Sequence, residues 1–448
     1  MTDYAHKLAR LRNTVDTRGG QLRLAKSTVS NLFRYQQRGP ATGRLSLSGF
    51  NGIIHLDADR RLLDVEGLAT QETIVAHCLP RGLLPLVTPE LRHITIGGAI
   101  VGIGIESSSF RHGFVHDGLV EADVLLPGGE VVCCSRENEH ADLFRALPNS
   151  YGTLGYILRA RIALQPALPF VHLSISNFGG ADEYLQAMHE ATTDKGIDFV
   201  EGLILDNGRF FLMLGRFGNE PPRERPSAPD DIVRQDVFWK LATQRSDICL
   251  RTEDYIFRYD YDWFWNVPDT GAYRLFRRYA PRRWRNSGFY TRYAAFKRRV
   301  SALMPGSNDE STEPLIQDWE VPWRHASELV RFCLENVPLD GRPWAALPIR
   351  PASRPTLYPV EPGELLFNLG CYCQVRKPAG EQAYHYTRIM DRKCFELDGI
   401  KMLYSSTFID EPAFDARFHG SAYRELKRKY DPQHRAPTLF EKVAVPQQ

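Results

Sequence analysis

A glycine-rich run between residues 89 and 113 constrains the fold of this chain more than any other feature. It reads PELRHITIGGAIVGIGIESSSFRHG, and four glycines stand close together in it: Gly97, Gly98, Gly102 and Gly104. Because glycine has no side chain, the backbone there can approach a large planar or phosphorylated ligand closely. A glycine-rich bend without a ligand would use the same residues, so the glycines alone leave both interpretations open.

The spacing of these glycines excludes two common nucleotide-binding loops. Gly102-Ile-Gly104 is not followed by the third glycine of a dinucleotide-binding fingerprint, because Ser107 stands in its place. No early βαβ unit surrounds the run, and the chain contains no P-loop pattern. A nucleotide ligand would therefore have to be held by another kind of fold.

The pattern of short strands and turns predicts an α+β fold with two domains. The first part of the chain has hairpin patterns, such as IIHL and LLDV around a turn, and a helix N-capped by Thr70. Pro166 and Pro169 mark a boundary. Beyond it, two strand–helix–strand sets predict an antiparallel sheet backed by helices on one face, which would roof a ligand. A single helix is predicted over residues 411–430.

The bulk composition favours a reduced, cytoplasmic protein over a secreted or nucleic-acid-binding one. The net charge is only +2, which gives no field that would attract nucleic acid. The eight cysteines follow no regular framework, so we expect reduced thiols. Without a signal peptide or a membrane-length apolar stretch, we expect a cytoplasmic protein, or one peripheral on the inner face of the cell membrane.

Two longer stretches resemble a known family of flavoproteins. TIGGAIVGIGIESSS and LFRALPNSYGTLGYI are similar to the PCMH-type FAD-binding domain of the vanillyl-alcohol-oxidase superfamily, in particular its delta-24 sterol reductase (Diminuto or seladin) branch. FVEGL, LIQDWEVPW, KMLYSS and HGSAYRELKRKY extend the resemblance over about residues 46–430. It implies a PCMH-type FAD-binding domain over 1–168, completed by 402–448 packing back, and a substrate or cap domain over 169–401.

The resemblance also implies which residues contact the cofactor. The pyrophosphate would be lined by Thr95, Gly97 and Gly98, with Ile96 between them. The flavin ring would lie beside Gly102, Gly104, Ile105, Glu106 and Ser107. From the next strand the cofactor would be closed over by Gly152, Gly155 and Ile157. The returning C-terminal segment would bring Tyr404 and Ser405 to the site.

Three departures from the family pattern refine these expectations. The usual pyrophosphate loop near the N-terminus is not recognisable, and only Lys26–Thr28 and Asn31 stand where it belongs. No histidine occupies the position of covalent attachment, so we expect noncovalent FAD. The relative that oxidises decaprenylphosphoryl ribose has a lysine near the position of Ser405, and its absence here weakens an oxidase interpretation.

The activity implied by the resemblance is NADPH- or NADH-dependent reduction of an isolated C=C bond in a lipid. Two substrates fit, because both give a tertiary cation on protonation: a methylene-fatty-acyl chain, reduced to a 10-methyl-branched (tuberculostearate-type) product, and a sterol side chain. The membrane-spanning N-terminal helix of eukaryotic sterol reductases is missing and the composition is rich in arginine, which suggests a bacterial protein. We therefore favour the acyl chain over the sterol. A lipid-modifying enzyme would be a further partner. An FAD-dependent alcohol or polyol oxidase and a lipid-binding scaffold without activity are the alternatives.

Such a reduction needs a proton donor held in a dry pocket. Glu106 is the first candidate, since burial keeps a carboxyl group protonated. Its other interpretation is a hydrogen bond to flavin or a turn cap. Tyr255, Tyr259 and Tyr404 are further candidates, although each is more often a core aromatic. No metal is expected, because His112 and His116 lack an acidic third ligand.

A basic aromatic segment over Arg274–Arg299 is the last feature. Ten basic residues and no acidic one stand in it: Arg274, Arg277, Arg278, Arg282, Arg283, Arg285, Arg292, Lys297, Arg298 and Arg299. Seven aromatic residues interleave: Phe276, Tyr279, Trp284, Phe289, Tyr290, Tyr293 and Phe296. The combination suits peripheral contact with an anionic membrane, while a solvated helical face with core aromatics is the equal alternative. Nucleic acid is a distant third.

Overall fold

The computed structural model describes residues 3–14, 22–25, 43–220, 236–262, 271–290, 292–293 and 311–445. The strands are β1 (Leu22–Ala25), β2 (Gly43–Ser46), β3 (Ile53–Asp57), β4 (Leu62–Glu66), β5 (Leu83–Pro85), β6 (Leu119–Leu125), β7 (Val131–Ser135), β8 (Tyr156–Pro166), β9 (Phe170–Phe178), β10 (Phe199–Leu205), β11 (Phe210–Gly218), β12 (Asp247–Arg251), β13 (Thr312–Pro322), β14 (Pro343–Ile349), β15 (Leu366–Arg376) and β16 (Ile400–Lys401). The α-helices are α1 (Asp3–Thr14), α2 (Gln71–Cys78), α3 (Ile96–Val101), α4 (Ser109–His112), α5 (Ala141–Ala146), α6 (Ala181–Ala191), α7 (Phe238–Ala242), α8 (Thr252–Ile256), α9 (Gly271–Tyr279), α10 (Ala326–Asn336), α11 (His385–Glu396), α12 (Glu411–Arg417), α13 (Gly420–Tyr430) and α14 (Leu439–Val443).

The first large sheet has the strand order β3-β4-β8-β6-β7, with β5 pairing to the end of β8. All these pairs are antiparallel. The predicted hairpin β3–β4 is confirmed, and β6–β7 is a second hairpin. Thr70 caps α2 as predicted, since its side chain accepts a hydrogen bond from the Thr73 N–H. A separate pair, β1–β2, is parallel.

The glycine-rich run forms a short helix and not the bare bend that its glycines suggested. Thr95 is the N-cap of α3, and its Oγ1 accepts a hydrogen bond from the Gly98 N–H at 3.3 Å. Ile96, Ala99 and Ile100 recur at helical spacing and are buried in the core against the first sheet. The cap and this apolar stripe outweigh the poor helix propensity of the glycines.

The second large sheet is antiparallel, as predicted, with the order β12-β9-β11-β10-β14-β15-β13-β16. Helices α6, α10 and α11 cover one face with apolar side chains. The other face is covered as well, in part by the short helices α7 and α8, so the expectation of helices on one face only was wrong. This second face also carries the charged residues of the candidate site.

The C-terminal residues pack against the first sheet. Side chains of α12, α13 and α14 share a core with strands β4, β6 and β8. The single helix expected over 411–430 is two helices, because His419 between them adopts a left-handed backbone conformation with φ of 51°. The exact division into domains at residues 168 and 401 stays a prediction.

In the described part of the chain, the helices are all too short or too polar to cross a membrane.

Candidate active site

A partly exposed apolar strip runs along the glycine-rich segment. Between Thr95 and Ser107, five residues are half-buried, and none of them has a polar side chain: Gly98, Val101, Gly102, Gly104 and Ile105. Their neighbours in the same segment are buried. A strip with few side chains and no charge suits a flat aromatic ring, so it fits the flavin expected there.

Some of the glycines serve the packing of the protein itself. A Cβ added at Gly97 would lie 2.8 Å from the Gly67 carbonyl oxygen, and one at Gly104 would lie 2.7 Å from the Val115 side chain. The Gly97 N–H also donates to the Gly67 carbonyl at 2.9 Å. That amide is therefore already paired, whereas the prediction gave it to a pyrophosphate.

The glycines after α5 have a similar role. Gly152 and Gly155 have φ values of 76° and 150°, which favour glycine. A Cβ at Gly155 would lie 2.6 Å from Val124 on β6. Ile157 is only 5% exposed and lies under Gly97. Cofactor contacts at these three positions stay a prediction.

Glu106 lies at the end of the strip, in a buried ion-pair cluster. Its Oε1 accepts a hydrogen bond from Arg258 Nη2 at 2.8 Å, and the same nitrogen donates to Glu201 Oε2 at 2.6 Å. All three residues are buried, with exposures of 4% for Glu106, 0% for Arg258 and 3% for Glu201. The pKa of Arg258 is raised, because the two carboxylates outweigh the burial that opposes its charge.

This pairing changes the role expected for Glu106. The Glu106 carboxyl is engaged by Arg258 through Oε1. The same Oε1 also accepts from the Ser107 N–H at 2.9 Å, which is the turn-capping alternative. The ion pair and the cap favour a structural role for Glu106, and its proton-donor role stays a prediction.

Tyr255 completes the cluster. Its hydroxyl shares a hydrogen bond of 2.9 Å with the Ser107 hydroxyl, and Tyr259 donates to Glu201 Oε2 at 3.3 Å. Burial raises the pKa of both tyrosines well above the usual value. The Val200 N–H donates to the Ser107 carbonyl at 2.8 Å, which fixes β10 against the glycine-rich segment.

Tyr404 belongs to a second buried cluster, around Asp318. Asp318 Oδ2 accepts hydrogen bonds from Tyr404 at 2.8 Å and from Tyr372 at 2.5 Å, while its Oδ1 accepts from Asn368 at 2.9 Å. Burial raises the pKa of Asp318, and these donors oppose the rise. Ser405, the neighbour of Tyr404, is buried with 6% exposure.

Glu90 is a functional candidate that the sequence prediction missed. It is half-buried, and its carboxyl has no hydrogen-bond or ion-pair partner among the described residues. Its pKa is raised well above the usual value, first by burial and then by the charge of Glu106, with further repulsion from Glu201 and Asp318. Both clusters therefore act on Glu90. Of these acids, it is the one with no donor to stabilise its anion.

A sequence signal for two of these acids exists. Glu201 and Asp318 are charged residues inside strands that are otherwise buried, FVEGLIL and TEPLIQDWEVP. A carboxyl group in such a position costs free energy unless it is paired or protonated, and so often marks a functional site. Glu90 has no comparable signal, because its loop has no periodic pattern.

The histidines considered as metal ligands, and a small acidic group on the first sheet, lie apart from the site. His112 binds Gln165 at 3.1 Å, and His116 stacks on Phe114, so the two histidines do not converge. Among the described residues, the one group with metal-ligand spacing comprises Glu121, Asp123 and Cys133, whose two carboxylates pair with Arg159. Lys26–Thr28 and Asn31 lie outside the described residues.

Comparisons with known proteins agree with this architecture. Residues 25–135 match a family model described as FAD binding domain. Human Delta(24)-sterol reductase is 24% identical over 403 residues, which cover 87% of this chain and 76% of that protein. Pisum sativum Delta(24)-sterol reductase is 32% identical over 186 residues, 39% and 33% of the two chains. Cytokinin dehydrogenase 1 of Oryza sativa subsp. japonica is 30% identical over 162 residues, 35% and 30% of the two chains.

The match to an FAD-binding family covers the glycine-rich strip and the first sheet up to β7. The sterol reductase match covers most of the chain, including both large sheets. Together with the α+β architecture, these similarities support an FAD-dependent oxidoreductase that resembles the delta-24 sterol reductase branch of the vanillyl-alcohol-oxidase superfamily.

Proposed function

We propose that this protein reduces an isolated C=C bond in a lipid, with noncovalent FAD as cofactor and NADPH or NADH as electron donor. The observation that carries the proposal is Glu90, a half-buried carboxyl without a hydrogen-bond donor among the described residues, on which two buried acid clusters act. Similarity to two proteins named Delta(24)-sterol reductase supports the direction of the reaction.

The chemistry requires a proton as well as electrons. FAD, when bound along the strip from Gly98 to Ile105, supplies the hydride chemistry. An isolated alkene has no carbonyl to take up charge, so the second carbon must receive a proton from an acid. Burial and the neighbouring anions raise the pKa of Glu90 well above its usual value, and we assign the proton transfer to its carboxyl group.

The charges around Glu90 have a second role. Proton transfer to an alkene builds positive charge on the carbon that awaits the hydride. Glu106 and Glu201 share the single guanidinium of Arg258, so this cluster carries a net negative charge when both are ionised. A fixed negative charge in a dry site stabilises a developing cation without reorganisation.

The substrate that we propose is a lipid alkene that gives a tertiary cation on protonation. A sterol side chain agrees with the names of the relatives. A methylene-fatty-acyl chain has the same cation chemistry, and would be supplied by a lipid-modifying enzyme that adds the methylene group. Lipid profiling of cells lacking the protein distinguishes the two, since the unreduced substrate should accumulate.

Anaerobic mixing of the FAD-loaded protein with NADPH or NADH tests the reaction direction. We expect loss of the oxidised flavin absorbance on mixing, and its return when the lipid alkene is added. An oxidase would instead be bleached by an alcohol and would ignore NADPH. A preparation that takes up no FAD would support a lipid-binding scaffold and contradict the proposal.

A further inference from the structure

Exposed apolar side chains are concentrated in one segment. Of the large hydrophobic residues that are exposed in the described part of the chain, one is Val120, at 41%. The other four lie in one segment of the sequence, between residues 275 and 293, and their exposures are 61% for Leu275, 71% for Tyr279, 42% for Trp284 and 51% for Tyr293. Single exposed hydrophobics are ordinary, but a contiguous group marks an interaction surface. We call the described residues 271–290 and 292–293 the basic aromatic surface.

The exposed cations of this surface lie beside its exposed rings. Arg278 stands 5.8 Å from the Tyr279 ring centre and Arg283 stands 5.9 Å from that of Trp284. Neither arginine forms an ion pair with a described acidic residue. No acidic residue occurs between residues 271 and 293, so the segment supplies no counter-charge of its own.

Helix α9 orders these groups into two rows. Leu275 and Tyr279 are four residues apart and share one row on the helix, and Arg274 and Arg278 form the adjacent row. Beneath them, Phe289 stacks with Phe276 at 6.2 Å and with Trp284 at 5.9 Å. The aromatic stack holds the helix while its outer rows face solvent.

Hydrogen bonds and close packing hold the basic aromatic surface next to the candidate site. The Ser287 hydroxyl donates to Asp260 Oδ1 at 2.5 Å, and the Arg92 N–H donates to the same oxygen at 3.1 Å. Gly288 packs so closely on His93 that a Cβ would overlap the imidazole ring. Arg92 and His93 belong to the loop that carries Glu90. The basic aromatic surface therefore lies against the segment that flanks the proposed proton donor.

We propose that the basic aromatic surface binds anionic phospholipid headgroups and so docks the protein on a membrane beside its active-site loop. Arginines supply the attraction to anionic lipid, and exposed leucine, tyrosine and tryptophan insert at the level of the headgroups. Nucleic acid would use the arginines but would leave Leu275 exposed. The binding does not depend on the proposed reaction, so either proposal can fail alone.

Part of the segment Arg274–Arg299 lies outside the described residues: the side chains of Arg277 and Arg282, and residues 296–299.

Flotation of the FAD-loaded protein with phospholipid vesicles tests the proposal. We expect binding to vesicles of phosphatidylcholine with phosphatidylglycerol, weak binding to phosphatidylcholine alone, and weaker binding as salt rises. Because each basic residue strengthens such binding by about fivefold, Arg278→Ala with Arg283→Ala should weaken it roughly 25-fold. Leu275→Ala with Tyr279→Ala should weaken binding to both kinds of vesicle.

Matched controls come from exposed residues elsewhere. Arg60 is 80% exposed and Val120 is 41% exposed, so Arg60→Ala and Val120→Ala should bind vesicles like the parent protein. All these variants should keep the parent unfolding temperature. Equal binding to neutral and anionic vesicles, no binding to either, or unchanged binding by both double variants would overturn the proposal. If an oligonucleotide displaces the protein from vesicles, while vesicles do not displace the protein from the oligonucleotide, the surface would be assigned to nucleic acid.

Discussion

Arg258 Nη2 lies 2.8 Å from Glu106 Oε1, and this contact joins the end of the glycine-rich strip to the segment that follows α8. Both side chains are buried, and the arginine also holds Glu201. Two carboxylates therefore depend on one cation that has no access to water.

Replacing Arg258 by methionine should destabilise the fold by about 3–5 kcal/mol, because two buried carboxylates would lose their counter-charge. Urea unfolding measures the change. Arg324→Met is the matched control, since Arg324 also pairs with two acids but is 57% exposed. Its cost should be about 0–1 kcal/mol. Adding Glu106→Gln and Glu201→Gln to Arg258→Met should recover part of the stability. Equal losses of stability in Arg258→Met and Arg324→Met would contradict this account.

Glu90→Gln should lower the turnover of the lipid alkene by about 10²–10⁴-fold, because the amide cannot donate the proton. Reduction of bound FAD by NADPH should stay unchanged, since that step needs no acid from Glu90. Turnover by the parent should fall as pH rises through the raised pKa of Glu90, and the variant should lose that dependence. Glu72→Gln, in a half-exposed position that pairs with Arg92 of the same loop, is the control. Unchanged turnover in Glu90→Gln would remove its assigned role.

Ile105→Glu should weaken FAD binding by at least about tenfold, because it places a charge in the apolar strip where a flat ring would exclude water. Fluorescence titration of the protein with FAD gives the affinity. Val120→Glu makes the same change of charge at an exposed site, and should bind FAD normally. If the two variants bind FAD equally well, the strip is not the flavin site.

Gly97→Ala should destabilise the protein by about 1–3 kcal/mol, because its Cβ would lie 2.8 Å from the Gly67 carbonyl oxygen. Thermal unfolding measures this. Gly49→Ala is the control, since nothing lies within 4 Å of the added carbon. A Gly97→Ala variant as stable as Gly49→Ala would show that this close packing has no energetic consequence.

Glu320 predicts a pH dependence of stability. It is fully buried, its Oε2 accepts a hydrogen bond of 2.6 Å from Tyr358, and burial raises its pKa well above the usual value. Between the unfolded and the folded pKa, the folded state binds more protons than the unfolded state. Stability should therefore fall as pH rises from about 4.5 toward the folded pKa.

Glu320→Gln should reduce this slope when unfolding temperature is measured from pH 4.5 upward, while the exposed Glu335→Gln should leave it as in the parent. A Glu320→Gln slope identical to that of the parent would mean that Glu320 is ionised in the folded protein.

The local sequence patterns predicted the fold well. The hairpins, the Thr70 cap and the antiparallel character of the second sheet follow from turn residues and alternation within short segments. The helical state of Ile96–Val101 was missed because the glycines suggested a bend, although the Thr95 cap and the apolar spacing were both visible. The break at His419 was invisible, since a left-handed histidine has no sequence signature.

The sequence by itself predicted an α+β flavoprotein and the glycine-rich segment proposed to lie along its cofactor, because backbone exposure depends on residues that are adjacent in the chain. Tertiary structure alone decided which carboxyl groups share a counter-charge. Glu90, Glu106, Glu201 and Asp318 come from separate segments, and Arg258 contacts Glu106 and Glu201 directly. Charge interactions depend on distance in space, which spacing along the chain does not encode.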